Sequence, residues 1–178
     1  MIMIRFENVT EKTFSAVYEK MCAAFPFEER RDYIDQQECM NDERFKFLEI
    51  FDGEEAVGFT ALWDLDGFLF IEHIAIDPDK RSGGYGSKAI ELIKTTFNKP
   101  VILEAEAPET EQQIKRIRFY DRLGFKVNDF YYEQPSYHGG ESVPLKILSY
   151  PALITDTEFQ NFISETRKSA YKKSGMRN

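Results

Sequence analysis

The order of apolar stretches and turns predicts an α+β fold, a central and mostly antiparallel sheet of about seven strands with flanking helices. Three observations carry this. Two tight-turn signals, Asp52-Gly53 and Leu65-Asp66-Gly67, join three successive apolar stretches into an antiparallel meander. A glycine-crowded loop after Asp77-Pro78 opens one crossover helix, which leads into a further apolar strand. The repeated βαβ units that a doubly wound sheet requires are missing.

Taken in order, Met1 to Phe6 alternates as a first strand, and Asn8 or Thr10 caps a helix through Thr13 to Ala24 that Pro26 stops. Phe25 to Arg31 is a loop of aromatic and charged residues, followed by a helix from Asp32 to Asn41. Phe45 to Asp52, Glu55 to Asp64 and Phe68 to Ile76 form the meander, and the crossover helix carries Ile90, Ile93 and Phe97 at helical spacing. A strand follows at Pro100 to Glu106, then a helix from Glu109 to Leu123 closed by Gly124. Phe125 to Glu133 and Val143 to Tyr150 are the last strands, separated by the polar loop Gln134 to Gly140. Thr155 to Tyr171 patterns as an amphipathic helix with Phe159, Phe162 and Ile163 on one side, and the stretch from Lys172 to Gly175 is expected to fray. That last helix either covers the sheet or meets a second subunit, as in a homodimer.

At 178 residues the chain makes one domain, with residues 1–150 as its body and 151–178 as a helical extension. Thirty-one acidic against twenty-three basic residues give a net charge of -8, which disfavours nucleic acid and suits a cationic partner such as an amine. The same acidity also keeps a protein soluble. Two cysteines, Cys22 and Cys39, without motif spacing argue against a disulfide framework or a zinc site and for a reducing compartment. No long apolar run or signal peptide is present, so the cytoplasm is the expected location and a membrane is not an expected partner.

The stretch from Phe70 to Ile90 is the strongest functional signal. A strand feeding a glycine turn that opens a helix is anion-binding geometry. The first helical N–H groups lack partners, the helix dipole adds roughly half a positive charge there, and glycines admit an anion to bare backbone. A P-loop needs Gly-Lys-Ser/Thr at its end, and here Gly86-Ser87-Lys88 stands instead. A dinucleotide fingerprint fits Gly84-Tyr85-Gly86-Ser87-Lys88-Ala89, with Glu104 about twenty residues on as the ribose contact. Against it, Asp77 to Gly83 intervene between the strand and the glycines.

Arg81-Ser82-Gly83-Gly84-Tyr85-Gly86 after a strand and an acidic-proline turn resembles the R-x-x-G-x-G loop of the GNAT family of N-acetyltransferases, and Phe119-Tyr120-Asp121-Arg122-Leu123-Gly124-Phe125 is similar to that family's second signature. The resemblance implies a splayed sheet with acetyl-coenzyme A as cosubstrate and its pyrophosphate on Arg81, Ser82, Gly83, Gly84, Tyr85, Gly86 and Ser87. It implies an oxyanion site on the backbone of Ile74, Ala75 and Ile76. The reaction implied is attack of a primary amine of a small molecule, peptide or protein on the thioester; the alternative is a noncatalytic acetyl-coenzyme A-binding regulatory domain.

An alkyl amine of pKa about 10.4 needs about 4.6 kcal/mol to shed its proton at neutral pH, so a base is required. Glu72 is the candidate by its place before the loop, and apolar Phe70 and Ile74 beside it are expected to raise its pKa. Strict alternation puts His73 on the opposite face, so one of the pair is structural. Tyr120 is the candidate acid for the departing thiolate. Lys80, Arg81 and Lys88, with Lys115, Arg116, Arg118 and Arg122, offer cations for the cofactor phosphates. Gln113 and Arg116 stand where the family often has asparagine and alanine, and the glutamine is the expected longer-reach substitute. For the acceptor, Phe27, Glu28, Tyr132 and Tyr137 are the expected contacts, with Glu29, Tyr131 and His138 near them.

Overall fold

The computed structural model describes residues 1–172. The fraying expected from Lys172 to Gly175 lies outside the described residues from Lys173 onward. In chain order the elements are β1 (Ile4–Asn8), α1 (Phe14–Ala24), α2 (Tyr33–Cys39), β2 (Phe45–Asp52), β3 (Glu55–Leu65), β4 (Phe68–Ile76), α3 (Tyr85–Phe97), β5 (Val101–Ala105), α4 (Glu111–Arg122), β6 (Lys126–Val127), β7 (Glu133–Gln134), β8 (Val143–Pro144), β9 (Lys146–Tyr150) and α5 (Asp156–Lys168). A 3-10 turn, Phe27–Glu29, sits between α1 and α2. Among the described residues no helix is long and apolar enough to cross a membrane.

The main sheet has seven strands in the order β1-β2-β3-β4-β5-β9-β6, and β4 with β5 is its one parallel pair. The mostly antiparallel α+β sheet with flanking helices and a C-terminal helix is thus as the sequence predicts. α1 and α5 cover one face, over Phe14, Met21, Trp63, Phe70 and Phe162. α3 and α4 cover the other, over Leu69, Ile71, Ile90, Ile93 and Tyr120. Three helix starts follow local chemistry, whereas α1 starts after Thr13 with no side-chain cap, where Asn8 or Thr10 was expected. Asp32 accepts from the Asp35 N–H, and Thr110 with Gln113 and Thr155 with Glu158 form capping boxes.

Two sheet irregularities place the site. The parallel pairing covers only Leu69–Ile71 against Val101–Leu103, after which β4 and β5 run on without pairing to each other and the sheet opens. Just there β4 bulges: Ala61 faces His73 and Leu62 faces Ile71, which leaves Glu72 unmatched. Alternation therefore fails at this point, and Glu72 and His73 both turn to the α1/α5 face, contrary to expectation.

The predicted strand Phe125–Glu133 is broken after Val127. The Asn128 amide donates to the Ile147 carbonyl and Ser149 hydroxyl and accepts from the Ile154 N–H, taking over from the ladder. Val143–Tyr150 is likewise split after Pro144 into β8 and β9, because β8 pairs with β7 as a separate ribbon while β9 joins the main sheet.

Gly58 fixes how closely β3 approaches β4. A Cβ there would lie 2.2 Å from the Ala75 carbonyl oxygen, a backbone atom that cannot step aside alone. Gly58→Ala is expected to lower stability by about 1–3 kcal/mol by forcing the strands apart. Denaturant melts check this, and an unshifted midpoint would refute it.

Candidate active site

Asp77-Pro78 ends β4, and the chain then climbs through Arg81 to Gly84, which takes φ +82° as the residue before α3. That left-handed conformation favours glycine, and no side chain caps the helix, so its first N–H groups point outward unclaimed. Beside them runs a cleft of about 590 Å³ lined by Ile74, Ala75, Ile76, Arg81, Ser82, Gly84, Tyr85, Gly86 and Ser87, which is every residue expected at the cofactor except Gly83. Lys80, Arg116 and Arg122 line it as well, and Lys88 does not. Lys80 is engaged by Glu55 at 2.5 Å, whereas Arg81 makes only one bond, from Nε to the Ile76 carbonyl at 3.2 Å, leaving its terminal N–H groups without a partner among the described residues. The uncapped helix start, the positive lining and the shape fit the pyrophosphate of coenzyme A.

Gln113 does not reach for that cleft. Its carbonyl oxygen accepts the Glu109 and Thr110 N–H groups and its amide donates to Glu106, so the capping box holds it.

A second cleft of about 420 Å³ lies where β4 and β5 part, bordered by Phe25, Glu72, His73, Leu103, Glu104 and Arg116. Tyr120 lines both clefts. Its ring packs on Phe119 and Phe125, and its hydroxyl has no hydrogen-bond partner among the described residues. Burial pushes its pKa up to about 12 against the opposing pull of Arg116, so the phenol keeps its proton at neutral pH.

Glu72 is enclosed on every side. Its side chain is 0% exposed, and its oxygens accept from both Arg31 terminal nitrogens, from Trp63 Nε1 at 2.8 Å and from the Tyr137 hydroxyl at 2.8 Å. What this residue presents to the cleft is main chain. Burial alone would raise its pKa, but the Arg31 guanidinium, with the donated bonds, holds it below the usual carboxylate range, opposite to the expected rise. Arg31 also donates to Gln36 at 3.0 Å and to the Ala170 carbonyl at 2.5 Å, tying α2 and the segment after α5 to β4.

His73 is buried and its pKa is lowered, by burial first, so the ring is neutral. Its Nε2 lies 2.8 Å from the Glu29 carbonyl, to which the neutral ring donates.

Beside Glu72, across the opening, Glu104 accepts from Tyr132, from the Tyr171 hydroxyl at 2.6 Å and from Gln134 at 2.7 Å. Burial pushes its pKa up to about 7 despite those three donors. Sequence reasoning gave Glu104 no role in this chemistry. Its one available signal was an acidic residue in an apolar strand next to the expected splay.

The four expected acceptor contacts do not gather at the cleft. Tyr132 and Tyr137 stand behind it as donors to Glu104 and Glu72. Phe27 is 50% exposed and stacks on His138 at 3.8 Å, and Glu28 is exposed beside it. Glu29 is exposed as well and meets the site through its main chain, its carbonyl accepting from His73 Nε2.

The profile of the acetyltransferase (GNAT) family matches residues 14–125. The chain is 30% identical over 158 residues to the Bacillus subtilis (strain 168) protein YjbC, an acetyltransferase by inference, covering 87% of this chain and 79% of that one. A solved structure from Bacteroides thetaiotaomicron, assigned by inference to the same family, superposes with a TM-score of 0.87 at 30% identity over 94% of this chain and 98% of its own. An aminoglycoside 6'-N-acetyltransferase complexed with coenzyme A is similar in fold alone, with a TM-score of 0.59 at 14% identity over 85% of this chain and 99% of that one.

Proposed function

The chain belongs to the acetyltransferase (GNAT) family of acyltransferases, and from that premise we propose that it transfers the acetyl group of acetyl-coenzyme A to a primary amine by direct attack in a ternary complex. The acceptor class is an amine of a small molecule, peptide or protein. One observation carries the reading: the tyrosine with an unengaged, protonated hydroxyl stands where the anion-binding cleft meets the cleft between the splayed strands.

In this reading the pyrophosphate lies on the N–H groups that open α3 and on Arg81, with Gly83 shaping the turn. The thioester lies along Ile74 to Ile76, whose main chain polarises its carbonyl. As the C–S bond breaks, the Tyr120 hydroxyl donates to the sulfur. The second cleft, bordered by Glu72 and Glu104, holds the amine. Glu72, whose acceptor positions are all taken, serves as the anchor of Arg31 and not as a free base.

The test is calorimetric titration with acetyl-coenzyme A followed by a thiol-release assay against polyamines, amino acids, aminoglycosides and lysine peptides. Binding with release on one class is expected. Binding without release on any amine would point to a regulatory domain, and no binding would overturn the assignment of the glycine loop.

A further inference from the structure

Direct attack needs a group that removes the ammonium proton, and two carboxylates stand at the opening, each one residue beyond the last β4–β5 pair, Ile71 with Leu103. A carboxylate has about four lone-pair positions. Those of Glu72 accept four donated bonds and face a cation. Those of Glu104 accept three, which leaves one position on the oxygen bonded to Tyr132, and among the described residues Glu104 makes no ion pair. Both residues border the acceptor cleft, and of the two carboxylates that of Glu104 keeps an acceptor position unused by the described residues.

We propose that Glu104 accepts the proton of the incoming ammonium, directly or through one water, and that Tyr132, Tyr171 and Gln134 position it. The inference rests on the acetyl-transfer reading above. The N–H bond breaks with its electron pair kept on nitrogen, and the proton passes to Glu104. Nitrogen then bonds to the acetyl carbon, the C–S bond breaks, and sulfur takes the Tyr120 proton. The second proton shed by nitrogen restores the Tyr120 hydroxyl, and Glu104 releases the first to water, so each turnover frees one proton.

A carboxyl group that titrates near neutral pH suits this task, because it is both ionised often enough and basic enough to compete for the proton. The groups facing it are Tyr132 just before β7 and Gln134 in β7, Tyr171 after α5, and Glu72 from β4 with its partner Arg31 and with Tyr137; His73, Arg116 and Tyr120 border the same cleft. The tyrosine hydroxyls favour the charged form, while burial and Glu72 oppose it. Removing one hydroxyl therefore moves the titration to higher pH.

The experiment is the pH dependence of kcat for the intact protein with an amine found active in the panel. Wild type should lose rate below about pH 7. Glu104→Gln should lower kcat at neutral pH roughly 10²–10⁴-fold and abolish that limb, with acetyl-coenzyme A affinity retained by calorimetry. Tyr171→Phe should shift the limb to higher pH, which loss of structure alone would not do. A Glu104→Gln enzyme with wild-type kcat, or a Tyr171→Phe limb that stays in place, overturns the proposal. Carboxyl-carbon NMR of wild type against Glu104→Gln tests the same carboxylate with no acceptor present: a Glu104 midpoint near 7 supports the proposal, and one near the ordinary value of about 4.3 overturns it. Failure of the acetyl-transfer reading shows separately, as absent binding or absent thiol release in wild type.

Discussion

Arg31→Met is expected to destabilise the protein by about 3–5 kcal/mol, because it leaves Glu72 buried and charged with no cation. Arg31 is 2% exposed and also holds Gln36 and the Ala170 carbonyl, so its loss frees acceptors on α2, on β4 and after α5 together. The pH dependence separates this from ordinary packing loss. In wild type the folded-state pKa of Glu72 is depressed, so its contribution is present above the unfolded value of about 4.3 and fades as pH falls. In the variant burial is opposed only by the bonds from Trp63 and Tyr137 and raises that pKa, so the penalty is full at neutral pH and shrinks on acidification. The gap between the two proteins should therefore narrow from pH 7 to pH 4 in urea melts. Adding Glu72→Gln should recover part of the loss at neutral pH. A gap that does not change with pH would mean the pair is not what holds these elements.

Tyr120→Phe is expected to lower kcat by roughly 10²–10⁴-fold while leaving acetyl-coenzyme A affinity almost unchanged. The variant is a clean one. The hydroxyl makes no hydrogen bond among the described residues, so its removal strands no partner, and the ring contacts with Phe119 and Phe125 remain. Unchanged stability with reduced thiol release would assign the proton to the sulfur; unchanged thiol release would remove Tyr120 from the mechanism.

Local signals made most of this architecture legible. Asp52-Gly53 and Gly67 mark real hairpins, and the apolar stripe of Phe159 and Phe162 marks α5. The loop from Arg81 to Ser87 is readable because what it needs, glycine where φ is positive or backbone must be bare, is written at the positions themselves. The acceptor side was not readable, for a physical reason. Its contacts join residues far apart in the chain: Arg31 meets Glu72 41 positions away and Ala170 139 positions away, and Tyr171 meets Glu104 across 67. No local pattern encodes such a pairing. The bulge at Glu72 is likewise a property of two strands in register, invisible in either alone. The strand forecast at Phe125–Glu133 missed Asn128 because an amide that replaces ladder bonds is recognisable only when its partners are known.

The two clefts share Ile74, Ala75, Ile76, Arg81, Arg116 and Tyr120, but what backs each of them comes from different stretches of chain. The anion-binding side uses residues from Ile74 to Arg122, whereas the floor behind the acceptor side is built by Arg31, Tyr132, Gln134, Tyr137 and Tyr171 around Glu72 and Glu104. The β7–β8 ribbon with its loop, and the segment after α5, are thus adjustable in an evolutionary sense at every position except Tyr132, Gln134, Tyr137 and Tyr171, which hold the two carboxylates. Drift or recombination there can retune which amine is admitted and leave the donor of the acetyl group untouched. A laboratory library aimed at new acceptors would diversify the rest of those segments and keep Tyr132, Gln134, Tyr137, Tyr171 and residues 74–122 constant.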